Sequence, residues 1–136
     1  MKDHIYYRDG YKYQLATGYS VLVAIKPQER IDHDYITLTT FGMLIIRAGY
    51  AWDGPSGPTV DTKNFMRGSL VHDALYQLIG EGLLPLSDRA LADEELRRIC
   101  REDGMSAIRA WWVYQGVHWF GDTAASSPEK APIEAP

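Results

Sequence analysis

A single cysteine, Cys100, stands among 136 residues. No internal disulfide framework can staple such a chain, and a reducing or neutral setting suits it. Long apolar runs are missing as well: none reaches the roughly 18 residues that a membrane-spanning helix needs. The polar start Met1-Lys2-Asp3-His4 has none of the marks of a signal peptide. Basic residues are outnumbered, 14 Lys and Arg against 18 Asp and Glu for a net charge of −4. With no basic stripe above that background, nucleic acid is excluded as the expected partner. There is no P-loop and no nucleophile elbow. The candidate zinc ligands His72, His118 and Cys100, with nearby acids, fall at no recognisable zinc spacing.

What is present is a chain long enough to bury one real core. It has 46% hydrophobic residues and a mean hydropathy of −0.28, as a globular domain has. The first half reads as β. Ile5-Tyr6-Tyr7 and Tyr11-Lys12-Tyr13 flank Arg8-Asp9-Gly10, and Asp-Gly between aromatic runs signals a hairpin. A third strand is expected over Tyr19 to Ile25, stopped by Pro27. Tyr35 to Thr40 and Met43 to Arg47 form a further hairpin around Phe41-Gly42, for about five strands in all, and a loop follows from Gly49 to Asp61. The second half reads as α. One helix is expected from about Thr62 to Ile79, ended by Gly80-Glu81-Gly82. A second, capped by Ser87 and Asp88, runs to about Asp103 with Gly104 as its stop. A third runs from about Ser106 to Phe120, closed by Gly121. The expected architecture is α+β: an N-terminal antiparallel β region, then three helices. Residues 1–122 would form one domain. The Ala/Ser/Pro/Glu-rich segment 123–136 would be a tail, disordered in isolation and extended along a partner in an assembly.

The chemistry gathers around His72-Asp73 and Tyr76. Four residues apart on a helix, His72 and Tyr76 share a face, and a histidine can act as a base near neutral pH. On the second helix Ala92, Leu96, Ile99 and Cys100 mark the apolar stripe, and Asp93 falls on it. A carboxylate facing a core needs a partner, and the candidates are His72, Tyr76 and Arg89. An Asp93–His72 pair would orient the imidazole and raise its basicity, the base-orienter relation of hydrolases. Pairing with Arg89, or a hydrogen bond that merely ties two helices together, would account for Asp93 equally well. Upstream, Asp53, Gly54 and Ser56 lie in the turn Trp52-Asp53-Gly54-Pro55-Ser56-Gly57-Pro58. That turn could offer a carboxylate and carbonyl oxygens to a hard cation such as calcium, or serve only as a turn. The His-Asp phosphohydrolase pattern needs another upstream histidine, and here His4 and His33 lie in the β region. In the third helix, Trp111, Trp112, Tyr114, Trp119 and Phe120 supply more aromatic surface than a core uses, so a partner surface is expected there.

Two resemblances attach to these residues. Asp53-x-x-Ser56-x-Pro58, His72-Asp73-x-Leu75-Tyr76, Ala92-Asp93 and Tyr114 to Gly121 together resemble a small uncharacterised family of phage and prophage proteins, over roughly Gly49 to Gly121. That implies a phage or prophage origin and a place in a virion or the host cytoplasm. Gly68-Ser69-Leu70-Val71-His72-Asp73-Ala74-Leu75-Tyr76 is similar to the active-site helix of secreted phospholipases A2, with Gly68, Ser69 and Leu75 in place of three cysteines. This likeness implies that His72 is the base for an attacking water, Asp93 its orienter and Tyr76 a support. It implies Asp73 as a calcium ligand, with carbonyls from the loop near Asp53 to Gly57. The expected function is a phage accessory protein, a virion or tail component with a phospholipase-A2-like site. Its partners would be other virion proteins or a second copy, met through the third helix and the tail, with a membrane surface as a further contact. The alternatives are a purely structural virion protein whose His-Asp residues brace a helix pair, and a hydrolase of cell-wall material.

Overall fold

Short apolar runs broken by turn residues keep the first half of the chain in antiparallel strands. In the computed structural model, which describes residues 5–8, 13–52 and 63–126, these strands are β1 (Tyr7–Arg8), β2 (Tyr13–Leu15), β3 (Tyr19–Leu22), β4 (Ile31–His33), β5 (Ile36–Leu38), β6 (Met43–Ile46) and β7 (Ala51–Trp52). They form two sheets, ordered β1-β2-β7 and β3-β6-β5-β4, antiparallel at each pairing. The helices follow: α1 (Lys63–Gly80), a single 3-10 turn over Leu86–Asp88, α2 (Arg89–Glu102) and α3 (Ala107–Ser126). The α+β order expected from the sequence is therefore the order found.

The strands are more numerous and shorter than five. β4 and β7 were not anticipated, and β7 lies inside the segment read as a loop from Gly49. Strands of two or three residues carry too little alternation to be seen. They are held by their neighbours: Trp52 is buried opposite Tyr13, with the rings 5.6 Å apart. In the first hairpin Arg8 stands opposite Gln14, whereas a two-residue turn at Asp9-Gly10 would set it opposite Tyr11. The β5–β6 turn forms as expected around Gly42, whose φ of +92° suits glycine; a Cβ there would also stand 2.6 Å from the Val23 carbonyl oxygen.

Glycine also ends the first two helices. At α1, Leu83 N–H donates to the Leu78 carbonyl and Gly82 N–H to that of Ile79; at α2, Met105 donates to Cys100 and Gly104 to Arg101. With Gly82 and Gly104 at positive φ, both are Schellman endings. Asp88 stands at the expected N-cap of α2, but its side chain makes no capping bond there, because the preceding 3-10 turn has already drawn it into helical backbone. At α3 the cap is Ser106, whose Oγ accepts from Arg109 N–H at 3.2 Å.

The expected stop at Gly121 is corrected. α3 continues to Ser126, so the first residues assigned to the tail, and the 122/123 boundary with them, belong to the helix. A glycine inside a helix costs only about 1 kcal/mol relative to alanine, and the following Thr123-Ala124-Ala125 run offers no breaker. The rest of the expected tail lies outside the described residues. Among the described residues, no helix is long and apolar enough to cross a membrane.

The core explains why α1 is buried on nearly every side. Leu70, Val71, Ala74, Leu75 and Leu78 meet Leu15, Ile36, Leu38, Leu44 and Ile46 of the sheets. A smaller cluster of Phe65, Leu96, Cys100, Met105 and Ala110 joins the three helices. The α1 positions left between these packed stripes face α2.

Candidate active site on the first helix pair

Gly68, His72 and Tyr76 recur every four residues and so line one face of α1. Antiparallel to it, Cys100, Leu96, Asp93 and Arg89 line the facing side of α2. His72 Nε2 lies 2.8 Å from Asp93 Oδ1, and the Tyr76 hydroxyl donates to the same oxygen at 2.6 Å. The two rings lie against each other tilted at 35°, with centroids 4.1 Å apart. The other oxygen, Oδ2, faces Arg89 Nη1 at 3.8 Å. The three candidate partners of Asp93 therefore do not compete, since all three converge on one fully buried carboxylate. The second ring nitrogen, His72 Nδ1, faces Asp73 Oδ1 at 3.8 Å, and the Asp73 side chain is one-third exposed.

Electrostatics sharpens the arrangement. Burial disfavours a charged His72, which is only 6% exposed. Hydrogen bonding and charge from Asp73 and Asp93 outweigh that, so its pKa is raised above the ordinary histidine value. Tyr76 is pushed up first by burial and then by the Asp93 carboxylate, so its hydroxyl stays protonated and remains a donor. On the same face, burial pushes the Cys100 thiol up to about 12, which leaves it inert as a nucleophile.

The expected metal ligands are divided. Asp53, Gly54 and Ser56 lie outside the described residues. Asp73 is described, yet no group of three His, Cys, Asp or Glu side chains among the described residues could hold a metal ion. Calcium takes six to eight oxygen ligands, so the described part of the site does not by itself fit that ion.

Sequence reasoning missed a second buried polar cluster on α1. Arg67 is 3% exposed. Its Nε and Nη2 reach the two Asp103 oxygens, each at 3.0 Å, its Nη2 also pairs with Glu102, and its Nη1 donates to the Tyr19 hydroxyl at 2.6 Å. The signal was there: Arg67 shares a helical stripe with Val71, Ala74 and Leu78, and a cation on an apolar stripe needs partners. Ser69 was also passed over, although its Oγ accepts from the buried Trp52 indole N–H at 3.0 Å. On α3, Ile108 (74% exposed), Trp111 and Trp112 (64% exposed) face solvent, the two indoles meeting edge to face with centroids 5.0 Å apart. The side chains of Trp119 and Phe120 lie outside the described residues.

Comparison with protein-family models, with curated proteins and with solved structures finds no match for this chain. Residue geometry is what carries a functional reading.

Proposed function

We propose that this chain is a phage-encoded accessory protein of a virion or tail, with a hydrolase-type site on the α1–α2 pair. One observation carries the hydrolase reading: a fully buried Asp93 oxygen takes both the His72 ring and the Tyr76 hydroxyl. Asp93 thereby fixes which ring nitrogen carries a proton in neutral His72. Nδ1 is left to take a proton from a water, and it returns that proton to the leaving group. The upward shift of His72 makes it a stronger base, available in a fraction that grows with pH. The phage origin rests on the resemblance that the Asp53, His72, Asp93 and Tyr114 motifs bear to a family of phage and prophage proteins, not on the geometry of the site. The exposed Ile108, Trp111 and Trp112 support a partner surface, on other virion proteins or a second copy. The cation part, calcium held by Asp73 with Asp53, Gly54 and Ser56, is separable, because no proton transfer above depends on it.

A second reading is favoured by the near-complete burial of His72. In it the same hydrogen bonds brace α1 against α2 and do no chemistry. A cavity of about 780 Å³, between the 26–32 segment and the α1–α2 connection, is lined by neither His72, Tyr76 nor Asp93.

Hydrolysis of phospholipid vesicles and of peptidoglycan, each with calcium or with chelator, separates these readings. A general base contributes roughly 10²- to 10⁴-fold, so His72→Gln is expected to lower product release by at least about 10²-fold. Release from peptidoglycan alone would move the substrate to the cell wall. No release from either by a well-folded protein would leave the bracing role.

A further inference from the structure

One turn ahead of His72, α1 meets α2 at close quarters at Gly68. A Cβ built there would stand 2.9 Å from Cys100 Sγ, 2.9 Å from Leu96 Cδ1 and 3.3 Å from the Leu96 carbonyl oxygen. A leucine methyl can swing aside, but a helix carbonyl cannot. Cys100 and Leu96 are themselves enclosed by Phe65, Met105 and Ala110, so the volume for adjustment is small. Beside this contact, Arg67 is locked to Asp103 at the end of α2. With that clamp in place α1 cannot slide along α2 to make room.

We propose that Gly68 is a positioning residue, whose bare Cα lets α1 approach α2 closely enough for His72 to reach Asp93. The inference deepens the site described above and takes its functional meaning from the hydrolase reading; the geometry it concerns is independent of activity. Four residues, about 6 Å of helix, separate Gly68 from His72, so any lift at the contact is carried almost undiminished to the ring. The His72–Asp93 separation of 2.8 Å lies near the short end of the hydrogen-bond range. A lift of about half an ångström carries it past the roughly 3.2 Å limit for a good N–H···O bond.

Glycine in a helix interior is ordinarily a weakness, and alanine in its place adds roughly 1 kcal/mol of helix propensity. At position 68 that gain is expected to be offset by the wedge.

The test reads the hydrogen bond itself. In proton NMR near neutral pH, a buried imidazole N–H held by a carboxylate gives a downfield resonance that exchanges slowly with water. The signal is assigned by its loss in His72→Gln. In Gly68→Ala it is expected to move upfield and to exchange at least about tenfold faster, the effect of weakening one buried hydrogen bond. Cys100→Ala, which opens the same gap, is expected to leave it in place. A folded Gly68→Ala protein with the parent's resonance and exchange rate overturns the proposal. Should Gly68→Ala not fold, Cys100→Val, a smaller wedge from the opposite helix, is read in the same way with the same two outcomes. Vesicle and peptidoglycan assays of the parent decide the hydrolase reading separately, so failure of one inference is not mistaken for failure of the other.

Discussion

Arg67 and His72 stand five residues apart on one helix, both nearly buried and both paired with acids of the α2 segment. They make different kinds of contact. Arg67 spreads a permanent charge over Asp103, Glu102 and the Tyr19 hydroxyl, joining two helices and a strand with parallel guanidinium bonds. His72 puts a titratable charge against a fully buried carboxylate, with its second nitrogen turned to the partly exposed Asp73. A guanidinium that never loses its proton can only hold things together. An imidazole whose pKa is displaced by two neighbouring acids can also pass a proton on. Burial and ion pairing are common to both, so neither separates a strut from a candidate catalyst; the capacity to gain and lose a proton does.

The largest expected effect lies on the strut. Arg67→Ala leaves Asp103 and the Tyr19 hydroxyl without their guanidinium, and breaking a buried pair from one side costs about 3 to 5 kcal/mol. Urea unfolding monitored by tryptophan fluorescence measures it. A loss under about 1 kcal/mol would make this cluster an ordinary surface pair and erase the contrast.

A pH series sharpens the comparison next. The folded-state pKa of His72 is raised, so folding favours the protonated ring. The resulting stabilisation is complete below the unfolded value near 6.5. It is lost as pH climbs through the higher folded value. The unfolding free energy of the parent minus that of His72→Gln is therefore expected to fall as pH rises above about 6.5. The same difference taken against Arg67→Ala should show no slope from this source, since arginine stays charged throughout. A flat profile for His72→Gln would show that Asp73 and Asp93 do not hold its proton.

Smallest is the hydroxyl that shares the Asp93 oxygen. Tyr76→Phe removes one hydrogen bond, costing about 1 kcal/mol, while the ring keeps its contact with His72. Thermal unfolding records this. A cost near that of Arg67→Ala would mean that Tyr76, rather than His72, is the main partner of Asp93.

The parts of this molecule legible in its sequence are those governed by local chemistry. Gly82 and Gly104 end their helices because a left-handed residue there costs glycine little. Asp93 could be paired with His72 because a charge on an apolar stripe must find a partner and helical spacing says where to look. What escaped depends on distant residues. β4 and β7 are too short to show a period and exist through strands remote in the chain. The register of the first hairpin follows from pairing β2 with β7 as well as with β1, which an Asp-Gly dipeptide does not encode. α3 runs through Gly121 because one poor helix former is cheaper than an early stop. The Arg67 cluster was half legible: the stripe showed that a partner was required, but Tyr19 lies 48 residues away, beyond any local pattern.

The Trp52–Ser69 hydrogen bond has a consequence for how much this architecture can vary. It ties the last residue of β7 to the first half of α1, about one helical turn ahead of His72. The segment between β7 and α1 thus leaves and re-enters at two points that are already pinned together. In loop-closure entropy, lengthening a connection between fixed ends costs only about 0.6 kcal/mol for each doubling. Insertions between Trp52 and Lys63 are therefore among the cheapest changes open to this chain. Length can be added there while His72, Tyr76 and Asp93 keep their places.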